Sequence, residues 1–149
     1  MTMEKVDDQE EMEESVEEVD PSYTIVPAII EAQGRSIPLV VGDRLCESAL
    51  AKLKTPDAWR TMSYKELRKL AKDNCGNQEG YITAQQPVLE AAFKLLLAAP
   101  RDSLTLTEIH ERLSDIWLVA PWPRHIGRES LQRVLDNAMR HGIVRVPEK

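Results

Sequence analysis

Basic side chains at helical spacing are the first chemistry that this sequence offers. Arg124, His125, Arg128, Gln132 and Arg133 lie on, or just before, an apolar-periodic stretch that opens near Gly127. Residues 120–146 hold five arginines against two acids, Glu129 and Asp136, a local net charge of +3. Guanidinium groups grip phosphate oxygens, so the local charge has the sign that a polyanion needs. Glu129 stands four residues before Arg133, and Asp136 four before Arg140. Those spacings equally allow intrahelical ion pairs on a self-neutralised, solvated face. Arg145, further on, either reaches a phosphate or flanks a strand. A second set, Lys65, Arg68, Lys69 and Lys72, recurs at i, i+3, i+4 and i+7, opposite Leu67, Leu70 and Ala71. It reads as a solvated face or as a contact for an anion, either a nucleic-acid backbone or the chain's own acidic segment.

Other chemistries lack their residues. His110, His125 and His141 have no paired spacing for a metal, and Cys46 and Cys75 lie 29 residues apart with no CxxC. There is no glycine-rich phosphate loop, no GxSxG and no HExxH. The expectation is a protein that is not an enzyme, with no metal, cofactor or small-molecule substrate. The two cysteines read as small core residues in a reducing, cytoplasmic compartment. Pro121, Trp122 and Pro123 set an indole between two prolines in an extended loop. Trp122 either packs back on the core or anchors a protein partner. Trp117, at the end of the preceding helical pattern, reads as core.

Charge is unevenly spread over the 149 residues. Residues 1–20 contain ten acids and one base, a net −9, while the other 129 residues hold 18 bases and 15 acids, a net +3. The pI of about 5.1 therefore describes the N-terminal segment more than the body. So dense a single-sign charge with few apolar groups predicts a disordered tail. The tail either aids solubility or masks a basic surface. No apolar run approaches ~18 residues, so no membrane span is expected, and an N-terminus that is acidic rather than basic-then-apolar argues against a secretory leader.

The elements that must position these residues follow from patterning. Residues 24–32 and 36–41, β-prone and separated by Gln33-Gly34-Arg35, predict a β-hairpin, with Pro27 and Pro38 at an edge. A short helix is expected over 45–53. Thr55-Pro56-Asp57 suggests a further helix start ahead of Trp59. Three S/T-x-x-E/Q capping boxes follow: Ser63 with Glu66, Thr83 with Gln86, and Thr105 with Glu108. They open helices with Leu67 and Ala71, with Val88 to Ala99, and with Leu106, Ile109, Leu113 and Ile116 facing inward. Residues 103–105 read as a short strand. A last helix runs over 127–141 with Leu131, Val134, Leu135 and Ala138 inward, then Gly142 as a left-handed cap and residues 143–146 as a strand.

The segments LTLTEIHERL (104–113) and LQRVLDNAMRHGIV (131–144) resemble the second helix and the recognition helix, with its exit into a wing strand, of winged-helix domains. The resemblance covers about residues 85–147. It departs from the family in a long loop before the last helix and in a second wing strand, with its basic tip, that is missing or truncated. It implies an α+β, mostly helical fold. Residues 1–22 form the tail, 23–82 a β-hairpin with short helices, and 83–149 the winged-helix-like domain. It also implies a DNA-binding or transcription-regulatory protein that reads double-stranded DNA with the helix from Gly127. The alternative is an adaptor of the same shape that binds a protein partner or a second copy of itself through Trp122, the hairpin and the open sheet edge.

Overall fold

A computed structural model describes residues 20–76 and 78–147, so the acidic segment up to residue 19 lies outside the described residues. Among them the fold is α+β, with seven α-helices and one small antiparallel sheet. The centre of that sheet is β1 (Ser22–Ile25). β2 (Leu104–Thr105) and β3 (Ile143–Arg145) flank it. Ser22 and Tyr23 pair with Thr105 and Leu104, while Tyr23, Thr24 and Ile25 pair with Arg145, Val144 and Ile143. The strand alternates, so that Tyr23 and Ile25 are buried.

The predicted hairpin is replaced by two helices, α1 (Pro27–Ala32) and α2 (Ile37–Gly42). The two prolines decide this. Each stands in the first turn of its helix, where an amide hydrogen has no intrahelical partner to lose and φ is already set. The Ser36 hydroxyl caps α2. β-branched Ile30, Ile37 and Val41 are buried, so tertiary packing outweighs their strand propensity. The Gln33-Gly34-Arg35 turn ends α1, with Gly34 at φ +77° and its N–H donating to Glu31 O at 2.9 Å.

α3 is only Glu47–Leu50, shorter than expected. The helix start expected at residues 55–57 is not formed. A single 3₁₀ turn, Ala58–Thr61, follows Asp57, which makes no capping bond. α4 (Tyr64–Asn74) opens on the Ser63–Glu66 box with both reciprocal bonds made. α5 (Val88–Leu97) starts later than the Thr83–Gln86 signal. The Gln86 side chain does bind the Thr83 N–H, at 3.2 Å. Pro87 then holds the chain extended, at ψ 149°, and the helix begins one residue on. α5 buries Ala91, Ala92, Phe93, Leu95, Leu96 and Leu97. It is the central helix of the core.

α6 (Leu106–Leu118) opens on the complete Thr105–Glu108 box and buries Leu106, Ile109, Leu113 and Trp117. After a loop comes α7 (Arg128–Asp136), which ends earlier than expected; a 3₁₀ turn, Met139–His141, carries the chain to Gly142. One hydrophobic cluster runs from Tyr23 to Ile143 and draws on residues before and after position 82.

Gly142 is held at φ +77°, and a Cβ there would lie 2.9 Å from two Ile30 side-chain atoms and 3.2 Å from Val26 O. Gly34 has the same φ but open space around it. Gly142→Ala should therefore lower unfolding stability in urea by roughly 2–4 kcal/mol, from backbone strain and overpacking together. Gly34→Ala should lose only the strain, about 1 kcal/mol.

Candidate nucleic-acid interface

α7 offers its buried side, Leu131 and Leu135, to α6 and to β3. Glu129, Ser130 and Arg133 are exposed on it, while Arg128 and Gln132 are half-buried. His125, in the loop before it, is exposed. The intrahelical pairs allowed by spacing, Glu129 with Arg133 and Asp136 with Arg140, are absent among the described residues. Arg133 accordingly stands exposed without an ion-pair partner there. Asp136 instead takes Arg145 Nη2 at 2.9 and 3.1 Å, and accepts the Tyr23 hydroxyl at 2.7 Å. Burial, and then the bond to Asp136, push the Tyr23 phenol up to about 12. Arg145 is thus held over the sheet, its guanidinium 6.0 Å from the Tyr23 ring.

Arg128 is the first residue of α7. Its Nη2 donates to Asp20 Oδ1 at 2.9 Å and to Thr107 Oγ1 at 3.2 Å. Arg124 is turned into the body. Its Nη1 donates to Ala84 O and Gln86 O at 2.8 and 2.7 Å, and its guanidinium lies 4.2 Å from the Trp117 ring centroid. It is engaged in fastening the loop before α7 to the segment before α5. Trp117 is fully buried, as expected of a core residue.

The α4 set divides. Lys65 and Lys72 are exposed with no ion-pair partner among the described residues, while Lys69 pairs with Asp73 at 3.2 Å. Arg68 leans into the body: its Nη2 donates to Ala99 O at 3.1 Å and to Arg101 O, and Nη1 lies 3.5 Å from Asp102. α4 packs on α2, α3 and α5, whereas α7 packs on α6 and β3. The two basic sets therefore belong to different parts of the surface.

Trp122 is 82% exposed, with Pro121 and Pro123 exposed beside it. Leu118 and Val119 are exposed in the same stretch. A groove of about 470 Å³ runs next to it, lined by Ile82, Ile116, Val119, Ala120 and Pro121 among others.

Sequence reasoning missed three features. One is the contact of Asp20 with Thr107 and Arg128, invisible because the partners are far apart in sequence. Another is Arg44, whose guanidinium grips Glu90 at 2.9–3.1 Å and lies 5.0 Å from the Phe93 centroid. The third is the meeting of the two thiols. The Cys46 N–H donates to Cys75 Sγ at 3.2 Å, and burial beside Cys46 pushes the Cys75 thiol up to about 12. Both cysteines are free. Of the histidines, His110 Nε2 lies 2.9 Å from Ile126 O, and His141 has a buried Nδ1 without a hydrogen-bond partner.

No protein-family model, curated protein or solved structure matches the chain. Among the described residues, no helix is long and apolar enough to cross a membrane.

Replacing Arg124 by Gln should release the loop 119–127 and cost about 2 kcal/mol of stability, the loss of charge-assisted bonds to two carbonyls. Urea unfolding checks the magnitude, and a shift in tryptophan emission reports the loss of the cation over Trp117. For Asp20, burial alone would raise the carboxyl, but the Thr107 N–H and hydroxyl, together with Arg128, bring it below its ordinary value. Its contacts should be complete above the usual pKa of about 3.9 and vanish only as the pH falls through a lower one. The Thr107 amide signal, followed by NMR against pH, reads that midpoint.

Proposed function

We propose that the chain is a non-enzymatic DNA-binding or transcription-regulatory protein of winged-helix form, which takes double-stranded DNA on the side of α7. One observation carries the reading. The order α5, β2, α6, α7, β3 is completed by β1, which lies antiparallel to β3 as the second strand of a wing would. Residues 22–25 would thus stand where a second wing strand lies beside β3. In proteins of this form the last helix enters the major groove and its first residues reach base edges. Arg128, Gln132 and Arg133 occupy the first two turns of α7, and His125 precedes them. Lys65 and Lys72 would add sequence-independent phosphate contacts on a separate face. Arg124 and Arg145 are engaged within the fold by Ala84, Gln86 and Asp136, as Arg128 is by Asp20 and Thr107. A reducing, cytoplasmic setting goes with two free thiols.

A second reading has its own observation. Trp122 at 82% exposure, with Leu118 at 68% and Val119 at 84%, makes an apolar patch beside the groove under Pro121. Exposed aromatic anchors of this kind serve protein interfaces. In this reading the chain is an adaptor.

Fluorescence anisotropy of a random-sequence duplex with the full chain, at ~50 and ~200 mM salt, separates the two. DNA binding should be saturable and should weaken steeply with salt. Arg133→Ala should weaken it further and lower the salt slope by about one. No binding at tens of micromolar would transfer the assignment to the adaptor, in which Trp122→Ala becomes the informative variant.

A further inference from the structure

Asp20 closes a segment that holds ten of the chain's 25 acids. Its Oδ1 accepts three bonds from two helices: the Thr107 N–H at 2.9 Å, the Thr107 hydroxyl at 3.0 Å and Arg128 Nη2 at 2.9 Å. Thr107 lies in the first turn of α6, where backbone amides lack intrahelical partners and the helix carries positive partial charge. Arg128 opens α7 and also donates to Thr107 Oγ1, which leaves the hydroxyl proton aimed at Asp20. An ionised oxygen met by a helix amide, a hydroxyl and a guanidinium is how proteins hold a phosphate. Here a carboxylate of the chain holds that position, at the start of the helix that the DNA reading sends into the groove.

We propose that Asp20 is a phosphate surrogate. Its carboxylate fills the place where the α6–α7 face takes a nucleic-acid phosphate, so the acidic segment and a nucleic acid exclude one another there. The proposal rests on the nucleic-acid reading above. Its physical basis is competition: a tethered carboxylate is present at high effective concentration, and the −9 of residues 1–20 repels a second polyanion. Salt screens this repulsion, so the exclusion is strongest at low ionic strength.

The full-length protein and its Asp20→Asn variant test this with two readouts. The first is inorganic phosphate titrated against the NMR signal of the Thr107 amide. The variant should give a saturable shift at phosphate concentrations that leave the wild type unmoved. A flat response in the variant, or equal responses in both, overturns the proposal. Unchanged amide signals in β1 and β3 show that the variant is folded. The second readout is duplex DNA anisotropy at ~50 mM salt, where the variant should bind roughly two- to fivefold more tightly, the worth of one partly exposed charge contact. If both proteins bind duplex and do so with equal affinity, that also overturns it. If neither protein binds duplex while phosphate still moves Thr107 in the variant alone, the anion site beneath Asp20 stands and the nucleic-acid reading falls.

Discussion

The pairing of β1 with two strands distant in sequence is the constraint on which the rest of the structure depends. Edge strands of two and three residues cannot stand alone. They exist because Ser22–Ile25 lies between them and satisfies their backbone groups. The Pro21 carbonyl accepts the Leu106 N–H at 2.7 Å, and the Ser22 carbonyl accepts the Val146 N–H at 2.8 Å, so the pairing extends past the ladder at both edges. Tyr23 fixes the arrangement in the third dimension. Its ring is fully buried, and its hydroxyl reaches Asp136 at the end of α7. That bond ties the end of α7 to the sheet, beside the packing of Leu131 and Leu135.

How much of this was legible depends on the range of the interaction that decides each element. The Ser63–Glu66 and Thr105–Glu108 boxes were readable because every partner lies within four residues, and both form as written. Gly142 was readable because a left-handed residue after an apolar-periodic stretch has one common use. The region 24–41 misled because β-branched residues report burial as much as strand. Pro27 and Pro38, read as marks of an edge strand, were helix starts. The third box was half right: the Gln86 side chain binds back as expected, but Pro87 sets where α5 begins.

The candidate site was legible in type and not in disposition. Composition located the arginines, yet nothing local told Arg124, stacked on Trp117, from Arg133, which stands in solvent. The difference lies in partners contributed by other elements: the carbonyls of Ala84 and Gln86 for Arg124, Asp136 and Tyr23 for Arg145, the turn after α5 for Arg68. The i,i+4 rule gave the wrong partner for Asp136 for the same reason. Its carboxylate is better satisfied by a phenol and a guanidinium from two strands than by one flexible arginine on its own helix. Trp122 was left open by the sequence, and the fold leaves it in solvent.

The central position of β1 also orders events during synthesis. The first strand to leave the ribosome is the one that needs both of the others, and β3 is made last of the three. While the chain grows, Tyr23 and Ile25 can be covered only transiently, and the unpaired amides of β1 remain available to any strand that comes near. Local helices such as α4 and α5 can form and dock in the meantime, so the sheet is the step that seals the domain. A nascent chain of this protein therefore passes through a period in which its future centre is an open strand, lying directly behind a segment of net charge −9.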